Sequence, residues 1–162
     1  MSVVSILICI AMIVVDQVTK IIAFHHLKPV GSIEIIQSVF SLTFVENRGA
    51  AFGILQGARW FFVIMTVLVV IGLIMYYIKL PREGKVYTWL RVSLVMILAG
   101  AIGNFIDRFR QGYVIDFFHA TFIDFPVFNI ADIYLVCGTI LLSILTIFFV
   151  KDEKNEKEIA EA

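Results

Sequence analysis

Four apolar runs, each long enough to cross a bilayer, constrain this chain more than any other feature. They cover approximately 3–24, 60–80, 88–108 and 128–150. A membrane-spanning helix needs about 20 predominantly apolar residues, and each run satisfies that length. Backbone polar groups cannot be left unpaired in lipid, so only helices and closed barrels cross a membrane. The runs therefore predict one integral membrane domain over 1–162, mainly α, with four transmembrane helices.

The composition agrees with a lipid environment. Of the 162 residues, 60% are hydrophobic and 16% are charged, whereas soluble domains have about 45–50% apolar and about 25% charged residues. The formal net charge is zero, so the chain has no long-range field to attract nucleic acid, and we expect no nucleic-acid partner. The first run carries Asp16 and Lys20 and lacks a basic region before it, which favours a retained helix over a cleaved secretory signal.

The segment 25–58, between the first two runs, does not have a helical pattern. Residues 40–44 alternate between apolar and polar side chains, and 32–35 begin in the same way. Such alternation is typical of half-buried strands. Asn47, Arg48 and Gly49 then supply turn residues. We therefore expect a small β-sheet that rests on the membrane surface.

The connection at 79–91 suggests the orientation in the membrane. It contains four basic residues and one acidic residue, namely Lys79, Arg82, Lys85, Arg91 and Glu83. Short basic loops remain cytoplasmic, so four spans place both termini, including the tail 151–162, in the cytoplasm. The segment 25–58 and the loop predicted at 109–127 then share the outer face. Five basic residues weaken the charge bias because they fall on that face: Lys28, Arg48, Arg59, Arg108 and Arg110.

Asp116 and Asp132 are the principal candidate functional residues. Each lies at the edge of an apolar segment, and a carboxylate near lipid is costly enough to suggest a function. Two carboxylates in close approach share one proton, so one can activate a water while the other donates a hydrogen bond. Structural alternatives exist for each: Asp132 falls in the first turn of a helix that Asn129 could cap, and Asp116 could pair with an arginine.

The third run carries a polar face near its outer end. Asn104, Asp107 and Arg108 are spaced to share that face, and Gly100 and Gly103 make the helix narrow enough for close approach. Arg108 could orient a carboxylate, a lipid headgroup or a peptide carbonyl. An Asp107–Arg108 pair that fixes the helix end is an equally good interpretation.

Two further pairs of polar residues have different predicted roles. Asp16 and Lys20 are four residues apart in the first run, a spacing suited to a structural ion pair. Asn47 and Arg48 could hold an extended substrate backbone, since an asparagine amide both donates and accepts hydrogen bonds.

Other chemistries have weaker support. His25, His26 and His119 could gather on the outer face as metal ligands, but no HExxH helix is present, and interfacial histidines are the favoured interpretation. No GxSxG elbow supports a serine nucleophile. A transporter or proton relay would place charges along several helices at the midplane, whereas the polar residues here concentrate near one face. A non-catalytic assembly factor would leave the paired aspartates without a role.

Five sequence blocks in a fixed order resemble the bacterial lipoprotein signal peptidase family, also called signal peptidase II. The blocks are DQVTK at 16–20, NRGAAFG at 47–53, GAIGNFIDR at 100–108, GYVIDF at 112–117 and FNIAD at 128–132. The resemblance covers nearly the whole chain. It implies four membrane helices, a small extracytoplasmic β-structure, and cleavage of prolipoprotein signal peptides just before a diacylglyceryl-modified cysteine.

The resemblance also implies roles for individual residues. Asp116 and Asp132 would be a catalytic aspartate dyad, with no metal and no cofactor. The residues expected to bind substrate or support the site are Asn47, Arg48, Gly49, Asn104, Arg108 and Asn129. Asp16, Lys20 and Asp107 would be structural. The expected setting is the bacterial cytoplasmic (inner) membrane, where a monomer meets lipid-modified prolipoproteins and membrane lipids.

Overall fold

A computed structural model describes residues 1–49, 54–123 and 125–149. Its four long helices are α1 (Val3–His26), α2 (Arg59–Lys79), α3 (Lys85–Gln111) and α4 (Ile130–Ile144), and a π-helical segment, Leu145–Phe149, continues α4. All four are long and apolar enough to cross a membrane when α4 is taken with its π-helical continuation. This confirms the prediction of a four-helix, mainly α membrane protein. The tail predicted at 151–162 lies outside the described residues.

The helix ends differ from the predicted spans where local chemistry decides them. The first helix extends through His25 and His26, which the sequence pattern places in the β segment 25–58. Both residues suit the negative end of a helix dipole. Helix α3 is longer at both ends than the predicted 88–108. It lies between Gly84, with φ of 110°, and Gly112, with φ of 83°, conformations that are costly for other residues and that interrupt a helix.

Helix α3 is the centre of the bundle and packs against the other three helices. Of its most apolar window, 61% is buried, compared with 22% or less in α1, α2 and α4. Small residues permit this packing, as the sequence predicts. A Cβ on Gly100 would lie 2.4 Å from the Ala131 carbonyl oxygen of α4, and one on Gly103 would lie 2.5 Å from Asp16 Oδ2 of α1.

A three-stranded antiparallel sheet covers one end of the bundle. It consists of β1 (Ser32–Ile36), β2 (Phe40–Asn47) and β3 (Val114–Ala120), in the order β1-β2-β3. The first two strands lie within 25–58, where a sheet is predicted. Buried Ile115 and Phe117 of the third strand pack against Ala23 and Leu27 at the end of α1, so the hydrophobic effect holds the sheet on the helices.

The segment 109–127, predicted as a loop, requires correction because it is not a loop throughout. It begins with the last turn of α3 and contains β3, which pairs along β2. The backbone of Phe118 exchanges hydrogen bonds with that of Phe128 at 2.8 Å and 3.0 Å. Because Asn129 and α4 follow Phe128 directly, these bonds bring the start of α4 beside β3.

Candidate active site

Asp116 lies in the buried part of β3, where only 2% of its surface is exposed. The residue is paired with Val45 of β2, so Asn47 lies diagonally across the same strand pair, within reach of a side chain. Asn47 Nδ2 donates to Asp116 Oδ2 at 2.9 Å, and Asn47 Oδ1 accepts from Gly49 N–H at 3.0 Å. The turn after β2 therefore fixes the amide that holds one oxygen of this carboxylate.

Asp132 occupies the first turn of α4, as the sequence predicts. Asn129 is the N-cap: its Oδ1 accepts from Asp132 N–H at 3.1 Å, while Asp132 Oδ2 accepts from Asn129 N–H at 3.0 Å. This reciprocal capping box satisfies two backbone donors at the helix start. It also fixes Asp132 where the helix dipole favours a negative charge.

Asn129 connects the two carboxylates. Its side-chain Nδ2 donates to Asp116 Oδ1 at 2.6 Å, while its backbone N–H donates to Asp132. The residue is completely buried, and so is its hydrogen bond to Asp116. One residue thus orients both candidate catalytic groups.

Asn104 of α3 contacts the same group of residues through its side-chain amide. Its Nδ2 donates to Asp132 Oδ1 at 2.8 Å. Its Oδ1 accepts from Asn129 Nδ2 at 3.2 Å and from Lys20 Nζ at 2.9 Å. The cation thereby fixes which way the amide points, since the oxygen must face Lys20 and the nitrogen must face Asp132.

The lysine that contacts the Asn104 amide belongs to a buried ion network. Lys20 Nζ is 3.0 Å from Asp16 Oδ2 and 3.1 Å from Asp107 Oδ2, and all three side chains are almost fully buried. Asp16 Oδ1 also accepts from Ala131 N–H at the start of α4 at 3.0 Å. The predicted Asp16–Lys20 pair is present, and Asp107 joins it in place of pairing with Arg108.

Gln17 is a member of this network that the sequence reasoning missed. Its Nε2 lies within hydrogen-bond distance of Asp16 Oδ2, Asp107 Oδ1 and the Gly103 carbonyl, at 3.1, 3.2 and 3.2 Å. The available signal was an uncharged polar residue next to Asp16 in an apolar run. Such a residue needs hydrogen-bond partners inside the protein.

Arg108 contacts the turn after β2, whereas the Arg48 side chain is exposed. Arg108 donates to the Gly49 carbonyl at 3.2 Å and lies over the Phe62 ring, 4.8 Å from its centroid. It therefore joins α3 to the turn after β2. Arg48 is exposed, and its guanidinium pairs with Glu46 at 3.1 Å. Of the six predicted supporting residues, only Arg48 has a side chain that makes no hydrogen bond to this group among the described residues.

The environment of Asp116 favours its neutral form. Burial is the main cause that raises its pKa, from 3.8 to about 7, and the nearby charge of Asp132 raises it further. The hydrogen bonds from Asn47 and Asn129 oppose this shift without cancelling it. Near neutral pH, Asp116 is therefore about half protonated, as required of one member of a proton-sharing pair.

The fold and these residues define a class: a multi-pass membrane protein with two aspartates that share hydrogen bonds to one asparagine at one end of its helix bundle. Comparison with known proteins defines the family. The family model for signal peptidase (SPase) II matches residues 8–149. The chain belongs to the signal peptidase II family, and it is therefore an aspartic-type membrane peptidase.

Individual relatives agree with this assignment. A lipoprotein signal peptidase from Caldanaerobacter subterraneus subsp. tengcongensis is 53% identical over 82% of this chain and 88% of that protein. Another, from Clostridioides difficile, is 47% identical over 89% of this chain and 95% of its own. A solved bacterial membrane enzyme superposes with a TM-score of 0.81 at 40% identity, covering 96% of this chain and 92% of its own.

Proposed function

We propose that this peptidase removes the signal peptides of diacylglyceryl-modified prolipoproteins by cleaving immediately before the lipidated cysteine, with Asp116 and Asp132 as its catalytic dyad. The observation that carries the proposal is the position of Asn129, whose side chain holds one carboxylate and whose backbone holds the other. The names of the related proteins support the substrate class.

In the proposed reaction, the dyad holds one proton and one water. Asp132, at the positive end of α4, takes a proton from the water while the water oxygen attacks the scissile carbonyl. Neutral Asp116 donates a hydrogen bond to the oxygen on which negative charge develops. The proton then passes to the leaving nitrogen, the C–N bond breaks, and the acid and amine products separate without a covalent intermediate.

Asn104, Asn129 and Asn47 position the carboxylates in this scheme. Each asparagine donates one amide hydrogen to a carboxylate oxygen. Arg108 acts indirectly because it holds the Gly49 carbonyl, and Gly49 N–H in turn holds Asn47. Asp16, Lys20 and Asp107 have a structural role, since their ion network fixes Asn104 and the first turn of α4.

We propose that the protein lies in the bacterial cytoplasmic (inner) membrane with the site near the outer face and both termini in the cytoplasm. The basic α2–α3 connection supports this orientation. The apolar side chains of α1, α2 and α4 face outward, so acyl chains of a lipidated substrate can remain in lipid while its peptide enters the site. We propose a monomer.

The dyad is tested by Asp116→Asn and Asp132→Asn in purified protein. The substrate is a peptide that carries a diacylglyceryl cysteine after its signal sequence. We expect either variant to lose about 10³-fold or more of the cleavage rate, because members of a catalytic unit do not substitute for one another. Product masses report the cleaved bond, and the same peptide with an unmodified cysteine tests the need for the lipid.

Glu83→Gln is the matched control, because it makes the same carboxyl-to-amide change at an exposed residue of the α2–α3 connection. It should cleave at the wild-type rate. Thermal unfolding of each Asp variant establishes that it is folded. Cleavage retained by a folded Asp→Asn variant contradicts the dyad, and loss of wild-type activity with a chelator, restored by zinc, contradicts the metal-free reaction.

A further inference from the structure

A cavity lies at the end of the bundle opposite the two aspartates. It has a volume of about 810 Å³, within the range of about 300–1,000 Å³ that is typical of small-molecule sites. The start of α1, the end of α2 and the start of α3 form its walls. Arg91, at this cavity, is 13 residues from Asn104 along α3, which corresponds to about 20 Å.

The rim of this cavity is basic and rich in hydroxyl groups. Its charged side chains are Arg82 and Arg91, and hydroxyl groups come from Ser2, Ser5, Tyr77 and Thr88. Arg91 donates to the Pro81 carbonyl. Within residues 1–49, 54–123 and 125–149, neither arginine forms an ion pair with a carboxylate. The rim therefore offers cationic donors to an anion.

The interior of the cavity is apolar. Ile8 and Met12 of α1 line one side, and Val95 and Met96 of α3 line the other. Ser5 Oγ and Tyr77 OH, 2.7 Å apart, form a hydrogen bond between α1 and α2 at this level. A ligand that fills the cavity must combine an anionic group at the rim with a hydrocarbon portion between the helices.

We infer that this cavity binds an anionic phospholipid, with its phosphate headgroup at Arg82 and Arg91 and an acyl chain between α1 and α3. Arginine suits phosphate because its planar guanidinium presents several donors at once. Basic pockets between membrane helices on the cytoplasmic side bind lipid headgroups of this kind, and that leaflet is anionic. The inference rests on the proposed orientation, which puts this cavity at the cytoplasmic leaflet, and it does not depend on the proposed cleavage.

The charge of the rim argues against the signal peptide as the occupant. The n-region of a signal peptide is positively charged, and placing it beside two unneutralised arginines would be repulsive. A phosphodiester supplies the opposite charge. A lipid at this position would also fill the space between α1 and α3 and stabilise that end of the bundle.

Lipid titration of the purified full-length protein tests the inference. Phosphatidylglycerol and phosphatidylcholine with identical acyl chains are added in detergent, and bound lipid is measured by native mass spectrometry together with the shift in Tm. We expect phosphatidylglycerol to bind at least about tenfold more tightly. Arg82→Gln should weaken that binding about fivefold, as expected for one basic residue at an anionic lipid.

Four controls separate this site from general attraction of charges. Lys79→Gln and Lys85→Gln each remove the same charge from the same connection without lining the cavity, and they should leave the affinity near that of the wild type. Ile8→Trp fills the apolar portion and should weaken binding without any change of charge. Glycerol phosphate, which lacks acyl chains, should not raise Tm.

Several results would overturn the inference. These are equal affinity for the two lipids, an equal loss in the lysine variants, full binding by Ile8→Trp, and stabilisation by glycerol phosphate alone. Ile8→Trp also keeps the test valid if Arg82→Gln disturbs the helix connection. Cleavage of the lipidated peptide should be retained by Arg82→Gln, so failure of the lipid site remains distinguishable from failure of the dyad.

Discussion

At the scale of single residues, Asn129 determines how the two carboxylates are arranged. Its amide nitrogen reaches Asp116 and its amide oxygen accepts from the backbone of Asp132. Aspartate at this position would retain the cap but lose the donor, and it would place a third carboxyl group beside the other two. Asparagine therefore both caps α4 and donates a hydrogen bond to Asp116. This explains why the cap residue of α4 also lies between Asp116 and Asp132.

The pKa of Asp116 provides a residue-scale prediction. Burial and the charge of Asp132 raise it, in that order, so Asp132→Asn should lower it toward 3.8 without reaching that value because burial remains. An NMR titration of ¹³C-labelled aspartate, with the Asp116 signal assigned by its loss in Asp116→Asn, measures the change. An unchanged or higher pKa would contradict electrostatic coupling between the two residues.

The same shift has a consequence for stability. The folded-state pKa of about 7 lies above the ordinary value of 3.8, so the folded protein binds more protons than the unfolded chain between these values. The contribution of Asp116 to stability is therefore most favourable at low pH and declines as pH rises toward 7. A site that retains a proton at neutral pH thus costs the fold some stability under the conditions where it acts.

At the scale of elements, local signals predict much of the structure. Apolar run length predicts the four helices, Asn129 predicts the start of α4, and alternation at 40–44 predicts β2. The pairing of 114–120 with β2 is not local. It depends on bonds between Phe118 and Phe128 and on burial of Ile115 and Phe117 against α1, contacts that no short window of sequence contains.

The ion network also combines one contact that is local in sequence with others that are not. The Asp16–Lys20 spacing of four residues is visible in one helix, and so the sequence predicts that pair. The contacts of Lys20 with Asp107 and Asn104 join residues more than eighty positions apart. They depend on the close approach of α1 and α3, which the sequence indicates only through the small residue Gly103.

The close contact between α3 and α4 provides an element-scale prediction. Gly100→Ala would place a Cβ 2.4 Å from the Ala131 carbonyl oxygen, so α4 must move away from α3. We expect a loss of about 1–3 kcal/mol in stability and slower cleavage, because Asp132 lies in the displaced turn. Thermal unfolding and the lipopeptide assay measure these effects.

Gly72→Ala is the matched control for this substitution. Gly72 lies in α2, and nothing lies within 4 Å of its added Cβ. Removing a helical glycine there should stabilise the protein by about 0.5–1 kcal/mol and leave cleavage unchanged. Equal effects of the two substitutions would show that the close approach of α4 to Gly100 is unimportant.

At the scale of the whole molecule, the two ends of the bundle differ in their polar chemistry. One end carries the sheet, the ion network and the paired carboxylates. The other end carries the basic connection and the cavity with Arg82 and Arg91 at its rim. Between them, α1, α2 and α4 present mainly exposed apolar side chains, as expected for lipid contact. The polar residues are thus concentrated at the two ends of the bundle, and the orientation of the protein decides which leaflet each end meets.

Cysteine labelling tests the proposed orientation. Gln37→Cys, between β1 and β2, should react with a membrane-impermeant maleimide in cells with an intact inner membrane, whereas Glu83→Cys should react only after that membrane is opened. The physical reason is the basic α2–α3 connection, which resists translocation. Wild-type protein gives the baseline because Cys9 is buried and Cys137 lies within a membrane helix. Reversed labelling would place the aspartates at the cytoplasmic face, and reaction of both variants from outside would contradict four complete spans.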